Sequence, residues 1–152
     1  MSARGAGRIV FEVWPDYVER VAAFLRASGT EGRLEEVLPD SEPPPGLELT
    51  AAAFDCEGGR TVVGLVPHGR SLDPRKLAAA AACPKLRTAA RPSAFPFQGA
   101  LVFLDQSALG AQTVWLQLEA ARHFLGLAPA QFVRLTRSKT ADLLAEDRIG
   151  GG

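Results

Sequence analysis

The sequence predicts a single α+β domain of mixed α/β character, in which helices flank a central mixed and mostly antiparallel sheet. The chain has 152 residues, the length of one ordinary domain, and 47% of them are hydrophobic, enough for a substantial core. Two apolar runs flank a glycine turn, and helical segments alternate with strand segments along the chain. We expect one domain over 1–152, with its core over about 9–147 and flexible ends.

The first two elements are a helix over 15–29 and a short edge strand at RLEEVLP. In PDYVERVAAFLRASG, apolar residues recur three and four positions apart, which is the period of an amphipathic helix. Pro15 suits the first turn of this helix, and Gly29 suits the stop after its last turn. The segment SEPPPG then predicts a break, because its prolines fit neither a helix interior nor a central strand.

The runs LELTAAAFDC and RTVVGLVP, over 47–56 and 60–67, predict an antiparallel hairpin that turns at Glu57-Gly58-Gly59. The middle of the first run has no charge, so its composition leaves open whether it lines a site or only packs in the core. After the hairpin, Asp73 predicts an N-cap and Pro74 the first position of an alanine-rich helix that Pro84 ends.

The second half of the chain predicts three strands, a helix and a last strand. ALVFLDQ, over 100–106, is a nearly continuous apolar run and therefore predicts a buried strand. QTVWLQLE and HFLGLA alternate like strands near 112–119 and 123–128. A helix is expected to begin at Pro129, and TADLLA predicts a closing strand.

Composition and motifs exclude several functional classes. No apolar run approaches the ~18 residues of a membrane span, and the basic start lacks the apolar segment of a signal peptide, so we expect a cytoplasmic protein without membrane contact. The motifs GxxxxGK[ST], GxGxxG, HExxH, GxSxG and paired CxxC are absent from the sequence, and we expect no cofactor and no metal. Cys56 and Cys83 are expected to be small buried hydrophobes rather than a disulfide framework.

A formal net charge of zero conceals a basic block in this sequence. Residues 1–57 carry five basic and eleven acidic side chains, whereas residues 60–91 carry seven basic side chains against Asp73 alone. Such a block favours an anionic partner such as RNA. A solvated face that balances the acidic N-terminal third explains it equally well.

Three ionisable residues are candidates for chemistry, although a non-catalytic role is favoured for each. His68 lies in a PHGR turn, where a solvated side chain is favoured over a catalytic one. His123 begins a predicted strand after a basic turn, and Asp105 ends a buried strand where a pocket mouth is often found. The residues alone therefore predict an α+β domain with a basic flank and a proline-containing aromatic loop, ARPSAFPFQG.

The segment TVVGLVPHGRSLDPRKLAAAAACPKLRTA resembles the YbaK-type aminoacyl-tRNA deacylase domain, also called the prolyl-tRNA editing family. In that family a hairpin strand ends in a Val-Pro-Gly-like turn and is followed by Arg-x-Leu-Asp, a Lys-Leu-Ala helix and Leu-Arg. The C-terminal part, from ALVFLDQ to LLAED, is similar through a strand ending in Asp, a Val-aromatic strand and a Leu-x-Pro helix. The resemblance covers roughly residues 33–147 and implies a YbaK-like fold.

The resemblance implies hydrolysis of the ester between an amino acid and the 3′ adenosine of a mischarged tRNA, without a cofactor. The partners it implies are the tRNA acceptor end and, further, an aminoacyl-tRNA synthetase. The basic block supplies the candidates for tRNA binding, which are Arg70, Arg75, Lys76 and Arg87. The family's Gly-Gly-Val-Ser-Pro-Phe-Gly loop supplies the candidates for substrate binding, which are Ser93, Phe95, Pro96, Phe97, Gln98 and Gly99.

The sequence departs from the family pattern at the strand that carries the active-site lysine. In relatives this strand reads like Ile-Val-Lys-Thr-Leu-Val-Phe, and when its Phe is placed on Phe54 the lysine position falls on Thr50. A threonine hydroxyl can bind a water but supplies no positive charge. Ser93 also replaces a leading glycine of the loop, and it would be strained in a conformation open only to glycine.

Two hypotheses about activity follow from these departures. The first is an active deacylase with a rebuilt site, in which Thr50, Asp105 and His123 are the catalytic candidates. The second is a catalytically degenerate YbaK-fold module that binds tRNA, aminoacyl-adenosine or a protein partner without hydrolysis. The sequence leaves both open, because a retained fold does not establish a function.

Overall fold

The computed structural model describes residues 16–37, 42, 44–90, 93–118 and 122–146. The predicted flexible ends, and Pro15 before the first helix, lie outside these residues. Within them, no helix has the length and apolar character needed to cross a membrane. The elements are, in chain order, α1 (Asp16–Ala27), β1 (Arg33–Glu36), β2 (Leu47–Cys56), β3 (Arg60–Pro67), α2 (Pro74–Ala80), β4 (Leu86–Thr88), β5 (Ala100–Asp105), a 3-10 helix (Gln106–Gly110), β6 (Val114–Gln117), β7 (His123–Leu127), α3 (Pro129–Thr136) and β8 (Lys139–Ala141).

All the described strands belong to one sheet, with the order β1-β7-β6-β2-β3-β5-β8 and with β4 as an additional partner of β2. The α+β class and the predicted position of β1 at an edge are confirmed. Four pairings of the described strands are antiparallel, whereas β2–β6, β3–β5 and β5–β8 are parallel. Because three of the seven described pairings are parallel, the sheet is mixed, and the prediction that it is mostly antiparallel is wrong. Strand direction depends on long connections, such as the one from β3 through α2 to β5, which the pattern within a strand does not reveal.

Two apolar layers cover the two faces of the sheet. Side chains alternate along a strand, so Val63 and Leu65 of β3 point to one face while Val62 and Val66 point to the other. Helices α1 and α3 pack on the first face, through residues such as Leu25. Helix α2 packs on the second face, and Leu77 and Ala81 are buried there.

Helix α2 begins as its sequence predicts. The Asp73 side chain accepts a hydrogen bond of 2.9 Å from the backbone N–H of Arg75, and Pro74 occupies the first helical position. The helix ends at Ala80, earlier than the predicted stop at Pro84. Ala82 adopts a left-handed conformation with φ of 53°, which turns the chain before that proline is reached.

The two cysteines form a disulfide that ties the end of β2 to the segment after α2. The Cα atoms of Cys56 and Cys83 are 6.1 Å apart, and both residues are buried. The prediction that they are separate small hydrophobes is wrong, because a sequence separation of 27 does not reveal that the chain folds back through β3 and α2. Disulfides are typical of oxidising compartments. The cytoplasmic location therefore stays a prediction.

Candidate functional site

Within the part of the chain that the structure describes, strand β2 has no second partner strand in its middle. Its parallel register with β6 covers residues 47–49, and its antiparallel register with β4 covers residues 54–56. Between them, residues 50–53 pair with β3 on one side, and on the other side the described residues supply one hydrogen bond, from Ala89 N–H to Ala53 O. Thr50 and Ala51 are exposed at this gap.

The backbone of Ala51 faces the gap. The N–H of Leu47 donates to Thr113 O, and Ala53 O accepts from Ala89, both along the same edge of β2. Strand residues two positions apart direct their N–H and C=O groups to the same edge. Ala51 therefore presents a backbone donor and acceptor to an edge where neither register gives it a partner among the described residues.

A cavity of about 560 Å³ opens at this gap, and we call it the first cavity. Four of the site residues predicted from the sequence line it, and these are Thr50, Ser93, Phe95 and Phe97. The remaining lining residues are Tyr17, Glu48, Leu49, Ala51, His68, Ala94, Leu116 and Gln117. The walls are thus mainly apolar, and the polar groups include a cluster on β2 and the turn after β3.

That cluster consists of Glu48, Thr50 and His68. The Nδ1 atom of His68 lies 3.0 Å from Thr50 Oγ1 and 3.9 Å from Glu48 Oε2. Positions 48 and 50 project from the same face of β2 because they are two residues apart. The N–H of His68 also donates to Glu48 O at 2.8 Å, which fixes the turn beside them.

His68 is exposed to solvent, as the sequence predicts, and it also contacts a neighbouring side chain. Its side chain is 65% exposed, yet Nδ1 contacts the Thr50 hydroxyl. A signal for this contact was present in the sequence. The tight turn at Gly58-Gly59 pairs Thr50 with Val66, so the turn after Pro67 must return beside Glu48.

The loop over residues 93–99 forms another wall of the first cavity. The N–H of Phe97 donates to Ala94 O at 2.7 Å, and the Tyr17 hydroxyl donates to Phe95 O at 3.0 Å. The Phe95–Pro96 peptide bond is cis. Left-handed conformations occur at Phe97, with φ of 61°, and at Gly99, with φ of 83°.

A second cavity, of about 460 Å³, lies on the other side of this loop. Pro96, Gln98 and Gly99 line it, whereas Ser93 and Phe95 line the first cavity. Phe97 lines both. The structure therefore divides the predicted substrate-binding residues between two cavities that share one aromatic ring.

Asp105 lines neither cavity. Its Oδ1 accepts from the N–H of Leu143 at 2.8 Å, while Oδ2 accepts from the N–H of Ser107 at 3.1 Å and from the Ser107 hydroxyl. The residue is 1% exposed. Asp105 thus caps the 3-10 helix and holds the C-terminal segment, a structural role that gives no geometric support to its predicted catalytic one.

His123 also lies outside both cavities. It is a buried residue of β7 that pairs with Glu36 of the edge strand, and its carbonyl accepts from Leu118 N–H. Its predicted catalytic role stays a prediction. In the described ranges, no three His, Cys, Asp or Glu side chains are grouped so as to hold a metal ion.

The predicted tRNA-binding arginines do not converge on one place. Arg70 is exposed in the turn that also carries His68, and Arg75 is exposed on α2 with an ion pair to Asp73 at 3.7 Å. Arg87 lies on β4 opposite Asp55. Asp55 is five strand positions from Thr50, a span of about 17 Å. Of these three, Arg70 lies nearest to the first cavity along the chain.

Lys76 is engaged within the protein. Its Nζ donates to Asp142 Oδ2 at 2.9 Å and to Leu144 O at 2.6 Å. The hydrogen bond with Asp142 raises the pKa of Lys76, and the same bond from Lys76 lowers the pKa of Asp142. This pair links α2 to the C-terminal segment.

Comparison with known proteins supports the fold. No family model matches the chain, and no curated protein matches it. A provisionally assigned trans-editing enzyme for prolyl tRNA synthetase aligns with a TM-score of 0.71 and 21% identity, over 88% of this chain and 100% of that one. The predicted YbaK-like fold is confirmed.

Two further solved structures share this fold. A scaffold protein from work on epitope backbone grafting by computational design has a TM-score of 0.73 and 19% identity, over 88% of this chain and 100% of its own. Hypothetical protein APE2540 has a TM-score of 0.66 and 15% identity, over 83% of this chain and 99% of its own. At these identities the likeness concerns the fold and not the activity.

Proposed function

We propose that the protein is an editing-type deacylase that hydrolyses the ester bond of a mischarged aminoacyl-tRNA. The observation that carries this proposal is the 3.0 Å contact between Thr50 Oγ1 and His68 Nδ1 at a largely apolar cavity. Thr50 occupies the position where the resembling family has its lysine. The fold shared with a provisionally assigned trans-editing enzyme supports the same reaction class.

His68 is the general base in this proposal. The neutral imidazole, with Nδ1 as the unprotonated nitrogen, takes a proton from a water held by Thr50 Oγ1, and that water attacks the ester carbonyl. The carbon–oxygen ester bond then breaks, and the departing ribose oxygen takes the proton from the imidazolium. The products are the free amino acid and the uncharged 3′ end of the tRNA.

Glu48 is a positioning residue for this base. Its carboxylate lies 3.9 Å from His68 Nδ1, on the side of the ring that faces Thr50. The positive charge that forms on the ring during the reaction is attracted to this carboxylate. Glu48 therefore stabilises the protonated imidazole that forms when Nδ1 takes the proton of the water.

The backbone N–H of Ala51 is the proposed oxyanion donor. It points into the gap of β2 and belongs to a residue that lines the first cavity. A preorganised donor of this kind is typically worth a factor of about 10²–10³ in rate. The gap in the sheet thus supplies a hydrogen-bond donor at a site where the family's lysine is replaced by Thr50.

The walls of the first cavity favour an uncharged aminoacyl side chain. Leu49, Phe95, Phe97 and Leu116 form much of the lining, and the single carboxylate among the lining residues, Glu48, belongs to the His68 cluster. Burial of a charged side chain against such walls is costly without a partner. We therefore place uncharged amino acids first among the substrates.

The test is a deacylation assay with tRNAs charged with proline, alanine, cysteine and serine. We expect hydrolysis above the buffer rate for at least one of them. An absence of hydrolysis across the panel contradicts the proposal. If the protein still binds these tRNAs, that outcome supports the non-catalytic binding module instead.

The histidines provide a matched pair of variants for the same assay. His68→Gln should lower kcat/KM by a factor of about 10²–10³, because it removes the base. His123→Gln should leave kcat/KM per folded molecule near the wild-type value, since His123 lines neither cavity. Full activity of His68→Gln would show that the base is misassigned.

A further inference from the structure

The second cavity has a basic lining. Arg134 and Arg137 both line it, and among the described residues no aspartate or glutamate does. Its other side chains are neutral and include the amide of Gln98 and the hydroxyl of Thr136. The C-terminus of α3 contributes a partial charge of roughly −0.5, which two guanidinium groups outweigh. A net positive charge therefore faces this cavity.

Neutral groups hold Arg134 in place. Its Nε and Nη2 donate to Gln131 Oε1 at 3.0 and 2.8 Å, and Nη2 also donates to Thr30 Oγ1. Among the described residues, Arg134 forms no ion pair with a carboxylate. Its guanidinium is therefore oriented but not neutralised, and these bonds do not use its Nη1 group. A planar donor of this kind matches a phosphate.

Arg137 completes the basic lining from the end of α3. It is the C-cap residue, its φ is 55°, and its backbone N–H donates to Val133 O. The left-handed turn directs the chain away from the helix axis, and the Arg137 side chain is exposed. Gly99 lies on the opposite wall, and a Cβ added there would meet no atom within 4 Å. The cavity thus has free space beside its charges.

The two cavities are neighbours along α1. Tyr17 lines the first cavity and Phe24 lines the second. Seven helical residues span about 10 Å, and residues seven apart lie on the same face of a helix. The ring of Phe97 separates the cavities at this face.

We propose that the second cavity binds a phosphate group of the polynucleotide whose aminoacylated end occupies the first cavity. The identity of the strand rests on the proposed function, whereas the anion site rests on Arg134 and Arg137. Neither arginine belongs to the basic block over 60–91. This site places the nucleic acid along α1 and the loop over 93–99, on the face of the sheet opposite to α2 and the engaged Lys76.

The experiment measures binding of a fluorescent RNA hairpin with a single-stranded ACCA 3′ end, by anisotropy over a range of salt concentrations. Arg134→Gln combined with Arg137→Gln should weaken binding about tenfold. The slope of log K against log salt should become shallower by about 0.7 for each phosphate that the variant no longer neutralises. Arg60→Gln is the matched control, because Arg60 is an exposed arginine at the start of β3 and lines neither cavity.

Equal affinity and salt slope for the double variant and the wild type would overturn the proposal, as would failure of the wild type to bind this RNA at low salt. Arg134→Lys combined with Arg137→Lys keeps the charge and should recover most of the affinity. Thermal unfolding of each variant shows whether it is folded. If the double glutamine variant does not fold, Arg134→Gln and Arg137→Gln are measured singly: each should weaken binding, and wild-type affinity for both would overturn the proposal.

A second substrate separates this proposal from the proposed function. Aminoacyl-adenosine carries the ester without a phosphate. The double glutamine variant should lose more kcat/KM on charged tRNA than on aminoacyl-adenosine, through a higher KM. If the wild type hydrolyses neither substrate, the proposed function fails, and the RNA-binding comparison still decides the phosphate site.

Discussion

The C-terminal end of β2 and its middle differ in how their edges are covered. Over residues 54–56 the strand is paired on both sides, by β3 and β4, and Cys83 is bonded to its last residue. Over residues 50–53 it has β3 on one side and the gap on the other. One strand is therefore anchored at its C-terminal end and forms a cavity wall in its middle. A gap in a sheet can be tolerated where paired segments hold the strand on both sides of it.

The largest expected effect concerns the anchored end. Cys56→Ser combined with Cys83→Ser should lower the free energy of unfolding by about 3–4 kcal/mol, because the disulfide closes a loop over a sequence separation of 27. Denaturant titration of the variant and of the oxidised wild type measures this difference. Deacylation per folded molecule should persist. A loss of activity in folded protein would show that the cavity-lining middle of β2 depends on the disulfide at its C-terminal end.

The next effect concerns the middle of β2, at the gap in the sheet. Thr50→Val keeps the shape of the side chain and removes the hydroxyl that lies 3.0 Å from His68 Nδ1. We expect kcat/KM to fall about tenfold and stability to change by less than about 0.5 kcal/mol, as at other exposed positions. Thr88→Val, on β4 beside the anchored end, is the matched control and should keep the wild-type rate. Equal rates for both variants would remove Thr50 from the proposed site.

The smallest effect concerns the contact of α2 with the C-terminal segment. The hydrogen bond from Lys76 lowers the pKa of Asp142 from 3.8, so its contribution to stability is present above that pH and is lost as the pH falls through the lowered value. Asp142→Asn should therefore flatten the dependence of Tm on pH below about pH 4. A variant whose Tm follows the wild type throughout the acid range would contradict this expectation.

Local patterns predicted most of the elements, because turns and caps act within a few residues. The hairpin over 47–67 and the N-cap at Asp73 are examples. Strand β4 was missed, since its three residues carry no local signal and form a strand only where β2 offers an edge. Strand directions and the Cys56–Cys83 bond were missed for the same reason, as both depend on how distant segments meet.

The candidate site was predictable only in part. The family resemblance pointed to Thr50 and to the loop over 93–99, and four of the predicted residues do line the first cavity. The contact of His68 with Thr50 was not predicted, because it requires the hairpin register and the turn after Pro67 together. For Asp105 the sequence favoured a structural role, and the bonds to Leu143 and Ser107 agree with it; its catalytic role stays a prediction, because a strand-ending aspartate has the same sequence pattern in a cap as at a pocket.

Phe97 lines both cavities with one side chain, and this makes their shapes interdependent. A ligand that moves the ring enlarges one space and narrows the other. Thermodynamic linkage requires any such influence to be equal in both directions. A ligand in the first cavity that moves this ring would therefore change the affinity of the second cavity for its own ligand by some factor. A ligand in the second cavity would change the affinity of the first cavity by the same factor.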